Sequence, residues 1–98
     1  MAAVDTTLAL TLVKARLNRL ASDTTLDAYL TARINAAVEE LEGTGITLTD
    51  STEDLLLVTD YTVWQYQSRD NPGAMPDWLR LRRRERWVRE GVKGDGSA

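Results

Sequence analysis

Leu55-Leu56-Leu57-Val58-Thr59-Asp60-Tyr61-Thr62-Val63-Trp64-Gln65-Tyr66 is the stretch on which the fold turns. Leu57, Val58, Tyr61, Trp64 and Gln65 recur at three- and four-residue steps, so they share one face of a helix. Leu55, Thr62 and Tyr66 widen that face until little of the circumference is left for water, which predicts a helix buried on two sides at the centre of the core. The spacing places it over 52–68. Ser51 with Asp54 three residues on is a variant of the capping box, and Asp50 with Glu53 is the alternative frame. Trp64, one turn beyond Tyr61, is expected to anchor the core.

Three further periodic segments surround this one. Leu26, Leu30, Ile34, Ala37, Val38 and Leu41 form an apolar stripe over 26–42, with Thr24 or Thr25 as N-cap and Gly43 in the left-handed position after the last turn. Upstream, Leu10, Val13, Leu17 and Leu20 mark a helix over 8–21, capped by Asp5, Thr6 or Thr7. Residues 44–50 connect the second and third segments, and Ile46 and Leu48 are expected to tuck under the helices. Asn71-Pro72-Gly73-Ala74 has Pro and Gly where a type II turn wants them. A fourth helix then opens at Pro76 and runs to about Glu90, with Trp78 and Leu81 turned toward the domain. The resulting expectation is all-α: a small four-helix domain over 1–90 with a flexible C-terminal tail over 91–98, where three of eight residues are Gly.

The composition narrows the function. The 98 residues fit one domain, and they include neither Cys nor His. Disulfides and thiolate metal sites are thereby excluded, and the commonest general base and commonest metal ligand are missing together. No apolar run approaches the roughly 18 residues of a membrane span, and the first residues lack the basic start and apolar core of a signal peptide. The chain therefore reads as soluble and cytoplasmic, without a membrane partner. No nucleophile–base pair and no Gly-rich phosphate loop is present, and no cofactor is expected. Asp50, Glu53 and Asp54 are wrongly spaced for a calcium loop and read as capping residues. A helix-turn-helix DNA reader is disfavoured, because Thr25-Leu26-Asp27-Ala28 at the start of the second helix would set an acid against phosphates.

The charge is polarised. Residues 1–60 hold four basic and ten acidic residues, a net −6, whereas residues 61–98 hold eight basic and five acidic, a net +3. The basic half culminates in Arg80, Arg82, Arg83, Arg84, Arg86 and Arg89, six arginines within ten residues, interleaved with Leu81, Trp87 and Val88. At 100° per residue they spread around most of a helix. Arginine throughout, rather than lysine, favours bidentate contact with carboxylates or phosphates.

The order of these features resembles the small head–tail connector (adaptor, or head-completion) proteins of tailed bacteriophages. The resemblance runs from about Leu10 to Val88. It is carried by Leu12-Val13-Lys14-Ala15-Arg16-Leu17, by Leu26-Asp27-Ala28-Tyr29-Leu30 with Ile34-Asn35-Ala36-Ala37, and by Gly45-Ile46. Tyr61, Trp64, Tyr66 and Arg69 follow, then Asn71-Pro72-Gly73-Ala74-Met75-Pro76-Asp77-Trp78-Leu79 opening a basic last helix. The C-terminal extension here is short. The resemblance implies a non-enzymatic virion structural protein made in the host bacterial cytoplasm and placed at the virion neck. Such a protein forms a homo-oligomeric ring, usually dodecameric, under the portal protein, receives the stopper or tail-completion protein, and lets packaged DNA pass through its lumen. The alternative expectation is a small helical regulatory or partner-binding module that touches nucleic acid through its Arg-rich last helix.

A ring of identical subunits needs two complementary faces on one chain. The expected interface sets Arg80, Arg82, Arg83, Arg84, Arg86, Trp87 and Arg89 on one side against Glu39, Glu40, Glu42, Asp50, Glu53 and Asp54 on the other. Reversing Arg83 and Arg86 is expected to leave the monomer folded while abolishing attachment to DNA-filled heads.

Overall fold

The computed structural model describes residues 3–70 and 73–96, the last five of these as backbone only. It contains four helices: α1 (Thr6–Arg16), α2 (Asp27–Gly43), α3 (Thr52–Gln67) and α4 (Asp77–Gly96). No strand occurs among the described residues, so the all-α class and the four segments hold.

α3 is the centre, as its sequence demands. Leu57, Val58, Thr59, Asp60, Tyr61, Thr62 and Val63 are buried without interruption. Of the four helices α3 alone packs against the other three, while α4 rests on α3 only. The polar members of the run are satisfied locally, since the Thr59 and Thr62 hydroxyls donate to the carbonyls of Leu55 and Val58, each at 2.8 Å. α1 contributes Ala9 and Val13 to the core, and α2 contributes Leu30, Ile34, Ala37 and Leu41. Each fully buried Leu or Ile is worth about 1.5–3 kcal/mol of transfer free energy. Ile46 and Leu48, 2% and 3% exposed, tuck beneath the helices as the alternation with Thr predicts. Trp64 packs partly buried on the core, its ring edge-on to Tyr61 with centroids 5.7 Å apart.

Helix ends differ from the sequence reading in α1, α2 and α4. α1 stops at Arg16, not Ala21. Asn18 takes the left-handed conformation (φ 60°), and the amides of Asn18 and Arg19 donate to the carbonyls of Ala15 and Lys14 at 3.1 and 2.8 Å. That pattern is a Schellman stop with Asn in the place usual for Gly. Leu20, expected on the core stripe, consequently lies beyond the helix and is 74% exposed. The buried lysine Lys14 bridges the break, its Nζ donating to the Ala21 carbonyl and pairing with Asp27, both at 3.0 Å.

α2 begins without a side-chain cap. Thr25 does not cap it; Asp23 accepts the Thr25 amide and hydroxyl at 3.0 and 2.7 Å and so holds the turn instead. At the other end Gly43 remains helical, and the left-handed glycine is Gly45 (φ 106°), against which Trp87 packs. Finally, α4 continues as helical backbone to Gly96, beyond Glu90. Of the flexible tail expected over 91–98, residues 97 and 98 and the side chains of 92–96 lie outside the described residues, as do Asn71 and Pro72 of the expected turn.

Candidate interaction surface on the last helix

The start of α3 and its midpoint each carry a buried acid, Asp54 at 1% and Asp60 at 7% exposure. A buried carboxylate must be paired or heavily hydrogen-bonded, and this requirement decides how α4 sits. Arg82 Nη1 donates to Asp60 Oδ2 at 2.6 Å, Arg86 Nε to Asp54 Oδ1 at 2.8 Å, and Arg89 pairs with Glu53. As the arginine numbers rise the acid numbers fall, so the two helices run antiparallel. Leu79, fully buried, is the apolar anchor on the same side.

Asp54 is the most heavily used of these groups. The Ser51 hydroxyl caps α3 by accepting the Asp54 amide at 3.1 Å, but the reciprocal arm of a capping box is missing, because the Ser51 amide donates to the Thr49 hydroxyl. The Asp54 carboxylate accepts from the Thr49 amide and hydroxyl, both at 2.8 Å, and from Arg86. Burial alone would raise its pKa. The Arg86 guanidinium and the Thr49 hydrogen bonds outweigh burial and leave the carboxyl below its ordinary value. Arg86 extends the network to the Thr47 carbonyl at 2.7 Å and to Glu90 at 3.0 Å, and Glu90 in turn accepts the Thr47 amide. Trp87 Nε1 donates to the Thr44 carbonyl at 2.8 Å. The 44–49 connection is thus stitched to α4 as well.

The expected interface residues therefore divide. Asp54 is buried and Arg86, 12% exposed, is turned inward to it; Arg82 pairs with the buried Asp60, and Arg89 pairs with Glu53 at the surface. Reversing Arg86 would break this network, so it does not leave the fold intact as the sequence reading supposed. Glu40 accepts from the Tyr61 hydroxyl at 2.7 Å and from Gln65 at 2.9 Å. Arg83 lies beside Tyr61, and Arg80 pairs with Asp77 at the surface. Glu39, Glu42, Asp50 and Arg84 are exposed and take part in no salt bridge among the described residues.

The side of α4 expected to face the domain faces out. Trp78, Leu81 and Val88 are 49%, 54% and 43% exposed, and Trp87 is half-exposed beside them. Turning the arginine stripe inward to meet Asp54 and Asp60 forces this rotation. The signal was present in the sequence as two acids inside the apolar α3 run and its capping turn, six residues apart. Along the outer side lie two shallow clefts. One is lined by Glu53, Leu81, Arg84, Glu85, Val88 and Arg89. The other, of about 470 Å³, is lined by Thr44, Arg80, Arg83, Arg84 and Trp87.

Among the described residues no group of His, Cys, Asp or Glu is arranged to hold a metal ion, and no helix is long and apolar enough to cross a membrane. Comparison with protein-family models, with curated proteins and with solved structures finds no match for the chain.

Proposed function

We propose that this chain is a non-enzymatic structural adaptor at the head–tail junction of a tailed bacteriophage. In this reading copies form a ring under the portal protein, receive the stopper or tail-completion protein, and surround the path of the packaged DNA. The observation that carries it is the outer side of α4. There Trp78, Leu81 and Val88 stand in water beside Arg80 and Arg84, a surface that costs solubility unless another protein covers it. The ordered resemblance to head–tail connectors supports the same reading.

The test is electron microscopy of the protein mixed with portal-bearing, DNA-filled heads. The expected result is ring-shaped density on the portal, lost when Arg80 and Arg84 are both changed to Glu. Those two side chains are exposed, so the variant should fold as the wild type does. A monomer or dimer that leaves portals bare would reject the adaptor.

The second reading, a small module that touches nucleic acid, is favoured by the cleft beside Trp87, whose lining includes three arginines and no acid. Stoichiometry separates the two, because a ring on a portal belongs only to the adaptor.

A further inference from the structure

We propose that the outer face of α4 receives the outer edge of α2 from a second copy of this chain, with Glu39 and Glu42 entering the arginine cleft beside Trp87. The proposal rests on the adaptor reading for the presence of a neighbouring copy, and it adds which two surfaces meet.

Charge is the first argument. The cleft lined by Thr44, Arg80, Arg83, Arg84 and Trp87 contains no acid, and Arg84 has no salt bridge among the described residues. On α2, Glu39 and Glu42 are exposed and make no hydrogen bond or salt bridge among the described residues. Their neighbour Glu40 turns inward to Tyr61 and Gln65. Arg84 on α4 and Glu39 and Glu42 on α2 are therefore unpaired, opposite charges on two different helices. Planar guanidiniums around a half-exposed indole suit carboxylates, which they can hold in bidentate fashion.

Shape is the second. Ala28, Ala32, Asn35, Glu39 and Glu42 follow one another at four- and three-residue steps, and all are exposed. Small side chains over the first turns leave that edge low, so the bulky Leu81 and Val88 beside Arg84 can lie against it while the two acids reach the cleft.

Topology is the third. α2 packs on α1 and α3, and α4 packs on α3 alone, so the two surfaces are carried by different helices, although Thr44, two residues beyond Glu42, lines the cleft of its own subunit. Contact between unlike faces is heterologous and propagates from copy to copy, as a ring requires. A contact of α4 with α4 would instead oppose arginine to arginine, which is repulsive.

Sedimentation of the full-length chain at low salt tests the pairing. The wild type should self-associate, and added salt should weaken it. Arg84→Glu and Glu42→Lys should each weaken association by about tenfold or more, because each sets like charges together. Both positions are exposed, so circular dichroism should be unchanged. Mixing the two single variants is the decisive measurement. One keeps an intact acidic edge and the other an intact arginine face, and the two reversed charges are themselves opposite, so the mixture should associate further than either variant alone. A mixture no larger than its components, or a wild type that stays monomeric at millimolar concentration, overturns the pairing. So does binding of a DNA oligonucleotide that Arg84→Glu abolishes while self-association is absent. The adaptor reading is judged separately, by ring density on portals, and survives if that density forms without self-association in solution.

Discussion

Changing Arg86 to Ala should be among the most damaging single substitutions in α4, although the residue lies in the polar half of the sequence. Its side chain is 12% exposed, and that of its partner Asp54 is 1% exposed. The substitution removes two bonds to Asp54 at 2.8 and 3.3 Å, one to the Thr47 carbonyl at 2.7 Å and one to Glu90 at 3.0 Å. Removing one partner of a buried ion pair costs about 3–5 kcal/mol. Asp54 would keep both Thr49 hydrogen bonds, so the lower end, about 3 kcal/mol, is expected. For a domain of this size that is a fall of about 10–20 °C in Tm, read by circular dichroism at neutral pH, with urea unfolding as the second measure. The pH dependence supplies a check on cause. The folded-state pKa of Asp54 lies below its unfolded value, so its contribution is fully present above the ordinary carboxylate range and is lost as pH falls through the lower folded value. In Arg86→Ala that acid limb should flatten. A cost below about 1 kcal/mol, the worth of an exposed pair, would refute the claim that Asp54 dictates how α4 is seated.

Trp64→Ala should cost about 2–3 kcal/mol, less than the 3–5 of a fully buried large aromatic, because Trp64 is only partly buried; urea unfolding measures it. Burial first, then the hydrogen bond to Glu40, push the Tyr61 hydroxyl up to about 12. Ultraviolet titration should therefore show a late phase that Tyr61→Phe removes, and stability should fall as pH rises from 10 toward 12; a titration unchanged by Tyr61→Phe above about pH 11 would contradict this. Gly45→Ala should cost about 1–3 kcal/mol, since φ is 106° and the new methyl would stand 3.4 Å from Trp87 Nε1. A Tm equal to that of the wild type would show that the loop can relax.

The fold was legible where burial alone decides it. The stripes of α2 and α3 are written in side chains whose only strong preference is to leave water, and the Leu57, Val58 and Tyr61 face lies where periodicity puts it. The end of α1 was not legible, because apolar spacing continues through Leu17 to Leu20 while the backbone is stopped by one asparagine at positive φ. Nor was the rotation of α4. Its arginines outnumber the acids near them in sequence, and the partners that set its orientation, Asp54 and Asp60, lie on another helix. Part of the arginine–acid pairing expected between subunits instead closes within the chain, as Arg82 with Asp60, Arg86 with Asp54 and Arg89 with Glu53. The portion left facing outward, Arg80, Arg84 and Trp87 with Leu81 and Val88, is smaller and more apolar than the sequence suggested.

Asp60 ties more together than its one side chain implies. Its two oxygens are held by different helices, Oδ1 by Arg16 at the end of α1 and Oδ2 by Arg82 in α4. Among the described residues the backbones of these two helices do not otherwise approach each other. A single carboxylate is therefore a shared node between the two ends of the helical order. Whatever pulls Arg82 away leaves both oxygens to Arg16 and redistributes the restraint on the last turn of α1. The seating of α4 and the Arg16–Asn18 stop of α1 are thus joined through one carboxylate on α3.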